Sequence, residues 1–196
     1  MEADGVAPCK KNAARLGAHL FFLDESGFLL IPPVRKTWSP RGQTPIHRHV
    51  YRHDRISAIS GISVSPKRRR MGLYCQLFDT NIDCEIVCGF LKDILRHLRG
   101  HVIALLDNGQ IHKGGPIRKL ALRHPRLHLE SFPPYAPELN PDEGVWTLLK
   151  QSLSNSRPDS AEDLMDTLSV EVCRIGASPS LLKSCIRHAE LPFSLP

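Results

Sequence analysis

No apolar run in these 196 residues approaches the 18 or more that a membrane-spanning helix needs, and the N-terminus carries no signal-peptide pattern. No internal repeat or low-complexity linker divides the chain. Six cysteines, at positions 9, 75, 84, 88, 173 and 185, include no CxxC pair and form no dense framework. That excludes a disulfide scaffold and predicts reduced thiols in an intracellular protein. Cys84 and Cys88 lie four apart on a predicted helix, but no second pair completes a tetrahedral set, so they read as small core residues. His47, His49 and His53, in "PIHRHVYRHDR", could bind zinc in principle, and we assign them no metal.

A hydrophobic content of 41% in 196 residues suffices for one sizeable core and is too little for two ordinary domains. Lys and Arg number 26 against 20 Asp and Glu, a net charge of +6 with pI near 9.1. This balance leans toward a polyanionic partner, although surface cations also serve solubility. A soluble, cytoplasmic protein without a membrane partner is expected.

Residues 1–18 are polar and aperiodic and read as a loose tail or linker remnant, with a single domain over 19–196. "HLFFLDESGFLLI" is apolar, and Ser26-Gly27 predicts a break into a hairpin or a bent strand pair. "RISAISGISVS" and "MGLYCQLFD" read as strands around the basic loop "PKRRR". The period then changes. "NIDCEIVCGFLKDILRHLRG" has helical spacing and ends on Gly100, "HVIALLD" suits a buried strand, "GPIRKLALRHP" a helix, "RLHLESF" a strand and "NPDEGVWTLLKQSL" a helix. "SAEDLMDTLSVEVCRIG" and "SPSLLKSCIRHAEL" read as closing helices, with Ser160 as a cap. The order is antiparallel β followed by alternating α/β.

Asp24 and Asp107 end apolar strands, where open α/β sheets build ligand sites. A third acid at the start of the "NPDEGVW" helix completes a set suited to hard divalent cations. Two Mg²⁺ ions roughly 3.5–4 Å apart can clamp the attacking and leaving oxygens of a phosphodiester. The bland alternative is that such acids meet solvent or cap backbone. In the same stretch Asn140, Pro141 and Glu143 have the spacing of a capping box. Periodicity chooses poorly between Asp142, which lies over Val145 and Leu149, and Glu143, which lies over Trp146 and Lys150.

The ordered set "FLDESGF", "LLDNGQIHKG" and "FPPYAPELNPDEGVW" resembles the DDE-superfamily transposases, in the bacterial insertion-sequence branch related to mariner elements. "RKTWSPRGQTP" and the late "LPF" are similar too. Thirty-five residues lie between Asp107 and Glu143, close to the separation typical of that group. The resemblance implies an RNase H-like fold, a five-stranded mixed sheet with three antiparallel then two parallel strands, flanked by helices. It matches Asp24, Asp107 and Glu143 to the catalytic, metal-binding acids, and leaves Asp142 to act through the helix dipole. Glu25, Asn108 and His112 match motif neighbours with supporting roles. The implied reaction is DNA strand cleavage and strand transfer with two Mg²⁺ ions, Mn²⁺ substituting, on transposon ends and target DNA. Candidate DNA contacts are Arg35, Lys36 and Arg41 around Trp38, and Lys67, Arg68, Arg69 and Arg70; Trp38 reads equally as a core anchor.

Such transposases carry an N-terminal helix-turn-helix region, and the residues before His19 are too few for one. The expectation is therefore a fragment, or a separate helix-turn-helix polypeptide as partner, with nucleoid association when DNA is bound. A homodimer stays open, since composition does not show it. Two alternatives also stay open: a decayed or repurposed DNA-binding protein that keeps the fold, and a free-standing RNase H-like nuclease.

Overall fold

The computed structural model describes residues 7–30, 38–43, 55–112, 114–154 and 158–191. Arg35, Lys36, His47, His49 and His53 lie outside these residues. Five strands form one sheet in the order β3-β2-β1-β4-β5. They are β1 (His19–Leu29), β2 (Arg55–Val64), β3 (Met71–Phe78), β4 (Val102–Leu106) and β5 (Leu127–Ser131). β1–β2–β3 pair antiparallel, while β1–β4 and β4–β5 pair parallel. This is the predicted mixed sheet. The parallel pairs need crossovers, and these are α2 (Cys84–His97) and α3 (Gly115–Arg123).

β1 is one continuous strand, not the expected hairpin. Its pairing with β2 runs unbroken from Leu20 opposite Val64 to Leu29 opposite Arg55. Gly27 serves close approach rather than reversal, because a Cβ there would stand 2.5 Å from the Arg55 guanidinium that lies across it.

Side chains of β1 alternate between two cores. Leu20 and Phe22 face one cluster, with Ala58, Ile62, Ile103 and Leu105 from neighbouring strands. It is covered by α4 (Asp142–Ser152), α5 (Ala161–Gly176) and α6 (Pro179–His188). Phe21 and Leu23 face the other, with Ile59, Val102 and Ala104, under α2 and α3. Cys88 is buried in this second cluster and Cys84 packs against it, as the sequence reading expected.

The expected N-terminal tail contains a helix, α1 (Ala7–Leu16), ended by Gly17 at φ 58. Ala13 is buried against the first core and Leu16 packs beside it, so tertiary contact orders a segment too polar to show a clear period. Ser160 caps α5 as predicted, accepting from the Asp163 N–H at 3.1 Å.

Gly61 is the tightest point of the sheet, since a Cβ there would meet the Phe21 ring at 2.2 Å. Phe21 is fully buried and has no room to yield. Gly61→Ala is therefore expected to lower unfolding free energy by about 1–3 kcal/mol, read as a shifted urea midpoint with unchanged slope.

Candidate active site

The alternation that builds the two cores also separates two neighbouring acids. Asp24 continues the Leu20–Phe22 row toward α4, whereas Glu25 continues the Phe21–Leu23 row toward the opposite face. Their partners differ accordingly. Trp146 of α4 donates its indole N–H to Asp24 Oδ2 at 2.8 Å. Glu25 Oε1 lies 2.9 Å from Nε2 of His112, which ends a short 3-10 turn at Gln110–His112.

Asp107 follows β4. Its Oδ1 accepts the Gly109 N–H at 2.7 Å and lies 2.6 Å from Nδ1 of His112. One buried imidazole thus joins Asp107 to Glu25, and as an imidazolium it donates to both. Burial lowers the His112 pKa, but hydrogen bonding and charge from Glu25, reinforced by Asp107, outweigh it and raise the value to about 8. Asn108 donates to the Phe132 carbonyl at 2.8 Å and ties the ends of β4 and β5 together.

Asp24, Asp107 and Glu143 line one cleft of 530 Å³, together with Asn108, Asn140 and the Phe132–Pro137 loop. Burial raises the Asp24 pKa to about 7; the Trp146 N–H opposes this, and the charges of Glu143 and Glu25 add to it. Among the described residues, no three His, Cys, Asp or Glu side chains stand as a closed metal-ligating group. The acids line an open cleft rather than a preformed cage.

The capping box is only half formed. Asn140 Oδ1 accepts the Asp142 N–H at 3.2 Å, but the Asn140 N–H donates to the Pro137 carbonyl at 2.9 Å, leaving the Glu143 carboxylate to the cleft. Asp142 corrects the sequence reading more sharply. It is no helix-dipole acid at the surface but is fully buried (0% exposed), accepting a hydrogen bond from Ser60 Oγ. Ser60 is the cross-strand neighbour of Asp24, so both point at α4. Among the described residues Asp142 Oδ1 has no partner, and burial holds this carboxyl well above the usual carboxylate range. The acids at 142 and 143 therefore divide between core and cleft.

Ser60, Asn140 and Trp146 are functional neighbours that sequence reasoning did not assign. Trp146 was legible, because it lies three residues after Glu143 on one helix face and a buried indole needs an acceptor. Ser60, a hydroxyl among buried residues of β2, was a weaker signal. Trp38 is 100% exposed, which removes the core-anchor reading, and Arg41 is exposed beside it. Lys67, Arg68, Arg69 and Arg70 form the β2–β3 turn, pinned by Ser65 and Arg70 backbone bonds. That turn adjoins Val64, paired to Leu20, so it stands beyond the end of β1 about 13 Å along the strand from Asp24. It is not part of the cleft. Arg55, unassigned from sequence, instead lines a neighbouring groove with Glu25, Ser57 and Asn81.

Both raised pKa values act in one direction. Asp24 favours the protonated native state from about pH 4 to 7, and His112 from about 6.5 to 8, so each contribution is lost as pH rises through its folded value. Metal-free protein is expected to lose stability between about pH 4 and 8. Asp24→Asn, which keeps an acceptor for Trp146, should gain on wild type across that window and exceed it at pH 8 by on the order of 2–4 kcal/mol, measured by denaturant melts with chelator.

Solved transposase structures share this fold. The Mos1 transposase paired-end complex with left transposon end aligns with TM-score 0.68 and 18% identity, over 97% of this chain and 57% of that one. The Mos1 mariner paired end complex with Mn aligns with TM-score 0.60 and 15% identity, over 98% and 62%. The isolated catalytic domain of Mos1 mariner transposase gives TM-score 0.54 and 13% identity, over 98% and 93%. The chain thus spans about three fifths of the transposase chains in those complexes and matches nearly the whole catalytic domain. No curated protein sequence matches it. The family described as DDE superfamily endonuclease matches residues 19–165, from the start of β1 into α5, and the chain belongs to that family.

Proposed function

We propose that this chain is the catalytic part of a transposase, cutting DNA strands and joining the freed 3′-hydroxyl to target DNA. The observation that carries the reading is that Asp24, Asp107 and Glu143, drawn from β1, the end of β4 and the start of α4, line a single cleft. Similarity to Mos1 complexes that contain transposon ends supports DNA as substrate, and the complex with Mn supports a divalent metal.

The donor set fits such a cation. Three hard carboxylate ligands share the cleft, and Asp24 is pushed up to about 7 partly by Glu143 and Glu25, a repulsion that positive charge relieves. Asp24 Oδ2 is engaged by Trp146 and Asp107 Oδ1 by Gly109 and His112, so the second oxygen of each carries no side-chain hydrogen bond among the described residues. Asp24, Asp107 and Glu143 would hold two Mg²⁺ or Mn²⁺ ions, which when bound lower the pKa of the attacking oxygen and offset charge on the phosphate. The chain's own part is alignment. Trp146 fixes the Asp24 carboxylate, Asn140 ties the start of α4 to β1 through Leu23, and His112 turns Asp107 while balancing Glu25. Arg41 and Lys67–Arg70 would hold DNA backbone away from the reacting bond, with Trp38 free to meet the duplex. We assign recognition of a terminal repeat to residues other than these.

With supercoiled DNA and saturating Mn²⁺, Asp24→Asn, Asp107→Asn and Glu143→Gln should each reduce nicking at least about a hundredfold, a barrier increase of roughly 2.7 kcal/mol, with circular dichroism unchanged. Mn²⁺ should raise the wild-type melting temperature and do so less in each variant. Full activity in all three would remove the catalytic reading. DNA affinity should fall steeply with added salt and vary little with sequence; selection of one duplex by more than about a hundredfold would locate a sequence reader within this chain.

A further inference from the structure

One wall of the cleft carries a residue that the three acids do not explain. Tyr135 is fully exposed (101%) and has φ 58, in the left-handed region that a side chain with Cβ occupies only under strain. The loop around it is firmly held. Phe132 turns inward to stack on Phe22 with ring centroids 6.4 Å apart, and its N–H donates to the Leu106 carbonyl at 2.9 Å. Leu139 is buried at the other end of the loop. Between these anchors Pro133, Pro134 and Pro137 restrict the backbone, so the point from which the tyrosine side chain leaves beside the cleft is fixed.

A large aromatic ring kept in water on a strained backbone, beside acids that act on a phosphodiester, matches a planar apolar ligand attached to that phosphodiester. We propose that Tyr135 is a stacking site for the nucleobase flanking the scissile phosphate, a role that rests on the DNA-cleaving reading above. Bases inside a duplex have both faces covered by their neighbours. The base next to a distorted or freshly cut bond has one face open, and an aromatic side chain covers it without regard to sequence. Stacking there holds the cut end against the acids between cleavage and joining. The phenol hydroxyl is not required.

The test uses a duplex oligonucleotide whose Mn²⁺-dependent cut position has been mapped on a gel. Tyr135→Ala and Tyr135→Gly are expected to slow cutting about tenfold or more, and Tyr135→Phe to match wild type. Glycine relieves the backbone, so its loss reports the ring. An abasic site beside the cut should slow wild type by the same factor and leave Tyr135→Ala no slower. Multiplying losses, recovery in the glycine variant, or an unaffected alanine variant would overturn the proposal. A second readout does not need chemistry. In a pre-nicked duplex with 5-iododeoxyuridine flanking the nick, irradiation should cross-link the base to Tyr135. Cross-linking without cutting by wild type would retain the stack and remove the catalytic reading; cutting without a cross-link at Tyr135 would do the reverse.

Discussion

The seam between α4 and the first two strands is an apolar layer crossed by three polar tethers. Asn140 donates to the Leu23 carbonyl at 3.3 Å, Ser60 donates to Asp142, and Trp146 donates to Asp24 at 2.8 Å. Around them Val145, Trp146 and Leu149 are fully or nearly fully buried against β1 and β2. Apolar packing supplies adhesion without direction, because it is indifferent to small slides of a helix over a sheet. The tethers supply the direction, and with it the position of Glu143 relative to Asp24.

Such a seam is stable only if its carboxyls lose most of their charge or gain a partner. Asp142 takes the first course, since burial holds its pKa well above the usual carboxylate range while Ser60 donates to it. Asp24 stands between, its pKa near neutrality because the indole N–H offsets only part of the burial. Glu25, on the opposite face of β1, and Asp107, after the end of β4, take the second course by sharing His112. Four carboxyls within a few residues of the same strand ends are thus accommodated by three different means. For Asp24 and Glu25 the choice follows from which face of the sheet the side chain leaves. A site held this way is less stable as its charge grows, and a bound cation then adds to folding stability.

Much of this was legible in the chain. The change from period 2 to period 3.6 at Asn81 gave the element order, and the apolar runs before Asp24 and Asp107 marked two of the three acids, although Asp24 lies within β1 and not at its end. The "NPDE" helix start marked the third, because hydrophobic periodicity and turn residues are local signals. The failures were also local in origin. Ser26-Gly27 carries the composition of a turn, yet the pairing of ten consecutive residues with β2 keeps β1 straight. The segment before Gly17 is polar on average and reads as a tail, yet it forms α1 and packs Ala13 against the core. Position is a different matter from composition: the basic run Lys67–Arg70 is conspicuous in sequence, and the antiparallel register is what places it at the far end of β1.

The sequence by itself determined most of the elements, their order, and the three places where candidate acids stand, after two apolar runs and at one helix start, because each depends on neighbours within a few residues. Only the tertiary structure decided which acid of each adjacent pair reaches the cleft. Asp24 and Glu25 differ by one strand position and leave opposite faces of the sheet. Asp142 and Glu143 differ by about 100° around a helix whose rotation is set by Trp146, Asn140 and Ser60. That rotation is a property of contacts between residues more than eighty positions apart, and no local pattern encodes it.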